Sequence, residues 1–256
     1  MMRSSASAPH TELPRSDRTR PTRRFLLYSL RPLARFAIRR RFRVRQHHHD
    51  RVPTDGPVIF ACNHVGVADG PLLAIFAPRP VHALTKEEMF ESKLGPLLLA
   101  SGQINVDRFN TDPAAVKSCL RALRDGLAVG IFPEGSRGAG DLRRFHRGAG
   151  YLGLVTGAPI VPVTMLGTRD PGGGSNSIPS RGAIVDVVYG EPFTFDPVPW
   201  PRTKEQVERS SLLLREHMLV QLDQARALTG RELPGPLPAA DAEPDPDTGV
   251  TDQGAP

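Results

Sequence analysis

The chain has 256 residues, 39% of them hydrophobic, with two cysteines and a formal net charge of +6. That is enough for one sizeable core, and it excludes a small disulfide scaffold. Cys62 and Cys119 both sit in apolar settings, which excludes a disulfide framework and a CxxC zinc site; reduced thiols fit a cytoplasmic compartment. No window approaches 18 uninterrupted apolar residues, so no conventional membrane-spanning helix is expected. The Arg- and Ser-rich opening lacks the apolar core and cleavage site of a secretory signal.

The charge divides into three parts. Residues 1–45 hold 13 Arg against Glu12 and Asp17, residues 231–256 hold Arg231 against six acids, and the stretch between carries 19 basic and 19 acidic side chains. A basic arm on a neutral body suggests an anionic surface as partner, either phospholipid or nucleic acid.

In chain order, residues 1–22 are polar and rich in Ser, Pro and Arg and are expected to be disordered. Residues 23–50 form an arm in which Leu26, Leu30, Leu33 and Ala37 fall on one helical stripe among paired arginines, with Pro32 expected to kink or divide the helix. Apolar residues facing arginines suit a segment lying in a membrane interface, its arginine stems reaching for headgroups. A surface helix packed on the body is the alternative; a nucleic-acid arm seldom needs so much apolar surface. His47, His48, His49 and Asp50 read as a solvated linker rather than a metal site.

Residues 51–230 alternate strand and helix. Strands are expected at 58–61, 81–84, 103–106, 127–132, 159–166 and 183–189. Helices are expected from Thr111-Asp112-Pro113 to Asp125-Gly126, over 148–156 and over 203–228. The alternation predicts an α/β domain, a mostly parallel central sheet flanked by helices. The Pro-, Ala- and Asp-rich stretch 231–256 is expected to be unstructured.

The chemistry concentrates in four segments. In Asn63-His64-Val65-Gly66-Val67-Ala68-Asp69, a continuous helix would set His64 and Asp69 about 140° apart. They can meet if His64 ends a strand, Gly66 allows a turn, and Asp69 opens the next helix. Asp69 would then hold one imidazole nitrogen and leave the other to take a proton from a hydroxyl. Gly102 to Arg108 ends a strand with an Asp-Arg pair, and Phe132-Pro133-Glu134-Gly135-Ser136-Arg137-Gly138 leaves the next. Val161-Pro162-Val163 lies in another strand. Arg108 and Arg137 at strand ends would offer planar forks for a phosphate, or else pair with Asp107 and Glu134.

Together these segments resemble the glycerolipid acyltransferase family, specifically the 1-acyl-sn-glycerol-3-phosphate acyltransferases, over about residues 55–200. Asn63-His64 with Asp69 matches its NHxxxxD block, Gly102 to Arg108 its GxIxxDR block, FPEGSRG its third block and Val161-Pro162-Val163 its last. The resemblance implies His64 as general base oriented by Asp69, and acceptor binding by Arg108, Glu134, Gly135, Ser136 and Arg137, with Lys86 helping to hold phosphate. It implies transfer from acyl-CoA or acyl carrier protein to lysophosphatidic acid in phospholipid biosynthesis. It implies no metal or other cofactor, since a thioester is already activated. The expected location is the cell membrane, peripherally on the cytoplasmic face, with no nucleic-acid partner. Other lysophospholipids or glycolipids as acceptor remain open, as does a non-catalytic membrane- or polyanion-binding protein on the same scaffold. The stretch 148–153 also spells GxGxxG, but no apolar strand precedes it, and Ser136 lacks the GxSxG frame of serine hydrolases.

Overall fold

The computed structural model describes residues 13–241. The disorder expected of residues 1–12 and 242–256 lies outside that range. The described chain forms a seven-stranded sheet between two helical layers. Its elements are α1 Phe25–Arg39, β1 Arg43–His47, β2 Val58–Cys62, α2 Asp69–Phe76, β3 Val81–Lys86, α3 Glu87–Glu91, α4 Gly95–Ala100, β4 Ile104–Val106, α5 Pro113–Arg124, β5 Ala128–Ile131, α6 Gly148–Thr156, β6 Ile160–Leu166, β7 Ile184–Tyr189 and α7 Lys204–Thr229.

The strand order is β1-β7-β6-β2-β5-β3-β4, parallel throughout except where β6 meets β7. The central strands β2, β5 and β6 are buried along their whole length. Both of their faces are covered, as near-continuous runs such as Val-Ile-Phe-Ala-Cys require. Alternate residues serve the two layers. Ile59, Ala61, Val129 and Ile131 pack under α5, α6 and α7, while Val58, Phe60, Val161 and Val163 face α2 and the inner side of α1. The expected α/β class holds.

Local signals set the helix ends. Asp112 caps α5 by accepting from the Ala114 and Ala115 amides, with Pro113 at the first helical position. Thr203 and Gln206 form a capping box on α7, and Gly230 ends it in the left-handed region. The GxGxxG stretch opens α6, where a side chain at Gly150 would strike Ser211 of α7. Gly150 thus serves close packing of α6 on α7.

Four expectations are corrected. Pro32 does not divide α1, which runs unbroken through it. The arm does not extend to residue 50, because Arg43–His47 is a strand paired with β7. Its sequence, Arg-Val-Arg-Gln-His, holds one apolar residue, so it gives no hydrophobic signal at the sheet's edge. Nor is His47 part of a solvated linker: its ring bonds the buried Asp186 at 2.8 Å. Residues 13–22 and 231–241 are not free tails either. Ser16 is buried and takes a hydrogen bond from Arg124, and Arg231 pairs with Asp186 at 2.8 Å.

α1 is riveted to the body. Arg31 and Arg35 both donate to the carbonyls of Ile75 and Ala77 at the end of α2, where unsatisfied carbonyls and the helix dipole favour cations. Leu27 is buried with them, whereas Phe25, Leu30, Leu33 and Phe36 point outward. The apolar stripe read from the sequence is largely the exposed one.

Candidate active site

β2 and β5 are neighbours at the centre of the sheet and end at the same rim, where open α/β sheets bind ligands. Asn63 continues β2 with its side chain: Oδ1 accepts from the Met165 amide at 2.7 Å, and Nδ2 donates to the Met165 carbonyl at 3.2 Å. This amide occupies both hydrogen-bonding groups of the neighbouring strand, so the backbone is free to turn away at His64.

That turn brings the predicted pair together. Asp69 opens α2, fully buried, and its Oδ2 accepts from the Val65 amide at 2.7 Å and the Gly66 amide at 2.9 Å. The same oxygen lies 2.8 Å from His64 Nδ1. An oxygen already accepting from two amides serves the ring as an acceptor, so the network assigns the proton to Nδ1 and the lone pair to Nε2. The ring lies against Phe132, centroids 4.3 Å apart and 31° from parallel. It is thus fixed by an acceptor on one edge and an aromatic on one face.

The FPEGSRG segment holds the backbone of His64 at both ends. The His64 amide donates to Glu134 Oε1 at 2.8 Å, and the Gly138 amide donates to the His64 carbonyl at 2.9 Å. Glu134 is buried, and desolvation pushes its carboxyl up to about 8 against the lowering effect of the His64 amide. Buried under the site and bonded to backbone, this carboxyl braces the turn that carries His64. Gly135 takes a positive φ of 73°, closing the turn with its amide on the Phe132 carbonyl. Ser136 beside it is buried.

The cationic residues stand at the same rim, half-buried. Arg108 donates to the Gly135 carbonyl at 3.2 Å and pairs with Glu88 at 3.4 Å. Lys86 ends β3 opposite Val106 of β4, and its charge also reaches Glu88. Asp107 turns back on its own loop, accepting from Phe109 and Asn110. Arg137 donates to the Ser175 carbonyl at 3.0 Å and to Asn176 Oδ1 at 2.8 Å. The structure therefore brings every sequence-predicted residue to one end of the sheet. Among the described residues no group of three or more His, Cys, Asp or Glu side chains could hold a metal ion.

Two residues of the site escape the sequence reading. Asn63 is visible there only as a letter beside His64, with no sign that it bonds β6. Arg169, three residues past β6, is almost fully buried, at 2% exposure. It donates to the carbonyls of Val65 at 2.7 Å, Gly138 at 2.9 Å, Gly173 at 2.9 Å and Gly235 at 2.5 Å. Burial pulls its guanidinium below the ordinary arginine value, and the Asp69 charge opposes that. A lone Arg after an apolar strand is the only sequence signal for it.

Known proteins resemble this chain in sequence and in fold. A family model described as Acyltransferase matches residues 43–166, beginning at the first residue of β1. A 1-acyl-sn-glycerol-3-phosphate acyltransferase of Bacillus subtilis is 30% identical over 152 residues, 59% of this chain and 73% of that protein. One from Cocos nucifera is 30% identical over 165 residues, but this chain spans only about half of it, 53%. The crystal structure of the 1-acyl-sn-glycerophosphate (LPA) acyltransferase PlsC from Thermotoga maritima shares the fold, with a TM-score of 0.58, 19% identity and 80% of each chain covered.

Proposed function

The chain belongs to the acyltransferase family, and we propose that it moves an acyl group from a thioester donor, acyl-CoA or acyl carrier protein, to the free hydroxyl of 1-acyl-sn-glycerol 3-phosphate, giving phosphatidic acid. The observation that carries this reading is the fixed imidazole: His64 Nδ1 is tied to Asp69 at 2.8 Å, leaving Nε2 as a base at the cationic rim.

His64 Nε2 takes the proton of the acceptor hydroxyl as that oxygen attacks the thioester carbonyl. The tetrahedral intermediate collapses, the C–S bond breaks, and the imidazolium returns the proton to the leaving thiolate. Asp69 holds the ring in the productive tautomer and stabilises the transient imidazolium. Arg108, Arg137 and Lys86 bind the phosphate, for which a guanidinium fork is well shaped. The thioester is already activated, so the reaction needs no metal or prosthetic group.

The acceptor and product are lipids, and the outward face of the molecule suits a membrane. Phe25, Leu33 and Phe36 of α1 are exposed together with Leu97 and Leu99 of α4, which contacts α1. Arg39, Arg40, Arg41 and Arg43 follow at the end of α1, complementary to anionic headgroups. No helix among the described residues is long and apolar enough to cross a membrane.

The test is thiol release from acyl-CoA with lysophosphatidate present, alongside mass spectrometry of products from a panel of lysolipids with both donors. His64→Ala is expected to fold normally and to lose about 10²–10⁴-fold in kcat/KM, the contribution of a positioned base. Full turnover in that variant removes His64 from the chemistry. A product formed only from another lysolipid moves the enzyme to a different acceptor.

A further inference from the structure

We propose that Arg169 is a positioning residue for the His64–Asp69 pair, holding from beneath the turn on which both are mounted. The inference rests on the reading of that pair as the catalytic base and its orienting carboxylate.

The Arg169 guanidinium binds four carbonyls from four separate segments. The shortest of the bonds into the site, Nε to the Val65 carbonyl at 2.7 Å, falls inside the turn. The amides of Val65 and Gly66 in that turn bond the same Asp69 oxygen as the His64 ring. A second bond, to the Gly138 carbonyl, falls on the residue whose amide holds the His64 carbonyl. One side chain therefore grips both backbone stretches that flank the base. Gly66 lets it come so close, since a Cβ there would sit 3.0 Å from the Thr168 carbonyl and 3.3 Å from Arg169 Cβ.

The choice of arginine follows from the number of donors the site needs. Its four carbonyl acceptors need four N–H donors, which the guanidinium supplies and a side-chain amide, with two, does not. The Asp69 charge acts on Arg169, so the cation stands near the carboxylate that accepts from His64. The fork sets the geometry of the turn. Arg169 itself is too buried to touch substrate.

The experiment uses the full chain and two variants, Arg169→Gln and Arg169→Lys, with two readouts. The first is steady-state kinetics with acyl-CoA and lysophosphatidate. The second, independent of turnover, is the downfield proton resonance of His64 Nδ1–H, identified by its loss in His64→Ala. Arg169→Gln is expected to lower kcat by about 10²-fold, as a misplaced catalytic group does, with KM for both substrates within a few-fold of wild type and the resonance displaced or lost. Arg169→Lys should fall between the two.

A folded Arg169→Gln with wild-type kcat and an unmoved resonance overturns the proposal, even if its melting temperature drops, because Arg169 is then only a rivet. Should the Gln variant fail to fold, the Lys variant decides by the same readouts, and wild-type values for both overturn the proposal. A wild-type chain without turnover defeats the acyl-transfer reading alone, and the resonance still reports whether Arg169 holds the pair.

Discussion

At the scale of single residues, the site is a small set of hydrogen bonds, each with a definite donor. His64 and Asp69 could be paired from the sequence because they are five apart, with Gly66 between them to permit the turn, and the 2.8 Å contact follows from local chain geometry. Arg169 could not be found that way, since its partners Val65, Gly138 and Gly235 lie 104, 31 and 66 positions off and only the fold assembles them. Glu134 was visible as a motif letter, but its burial was not, and burial gives it a pH signature. Its carboxyl is pushed from 4.5 up to about 8, first by desolvation. The folded state therefore keeps a proton that the unfolded chain has released, and this stabilisation is full below 4.5 and fades as pH rises through about 8. Glu134→Gln, whose side-chain oxygen can still accept from the His64 amide, should flatten the loss of denaturation midpoint between pH 5 and 8. An unchanged slope in that variant would show that another group titrates.

At the scale of elements, the strong apolar runs of β2, β5 and β6 and the capped helices α5 and α7 were legible, since periodicity and caps are local. What was lost were elements whose reason is tertiary. β1 is an edge strand held by side chains: Arg45 makes two bonds of 2.8 Å to the buried Asp186 directly across on β7, and His47 and Arg231 converge on the same carboxylate. Burial alone would raise the Asp186 carboxyl, yet the bonds from Arg45 and His47 and the nearby cationic charge bring it below its ordinary value. One residue thereby joins the edge strand, the sheet and the segment after α7. Gly102 shows the same limit. The family pattern contains it, but the reason appears only in the fold, where φ is +72° and the Arg23 carbonyl approaches too closely for any Cβ. Asp186→Asn should leave two arginines without their carboxylate. A destabilisation of about 1.5–3 kcal/mol is expected, the scale of lost hydrogen bonds to a charged group, since the cations left behind are partly exposed. Chemical denaturation reads it directly, and a loss below about 1 kcal/mol would make β1 a passive edge.

At the scale of the whole molecule, the riveting of α1 bears on the proposed contact with a lipid surface. A loose arm would leave the orientation of the body undetermined. Arg31 and Arg35 on the end of α2 instead fix α1 to the body, so that the face carrying Leu33 and Phe36 points in one direction. Removing residues 1–45 would not test this, because it also deletes most of β1 and the Arg45–Asp186 pair. Leu33→Asp with Phe36→Asp in the full chain is the cleaner variant, since both side chains are mostly exposed, at 66% and 60%, and their loss leaves the core intact. Each should contribute at least about 1.5 kcal/mol when buried in the interface. Losing both therefore corresponds to about 10²-fold weaker partition onto vesicles of phosphatidylglycerol and phosphatidylcholine. Raising the salt should weaken the wild type further toward the variant, because its arginines act through screened charge. Turnover of detergent-dispersed lysophosphatidate should stay near wild type in the variant, as neither side chain belongs to the site. Equal flotation of variant and wild type would mean that this face does not meet the bilayer, and that the rim of the sheet reaches its lipid by another surface.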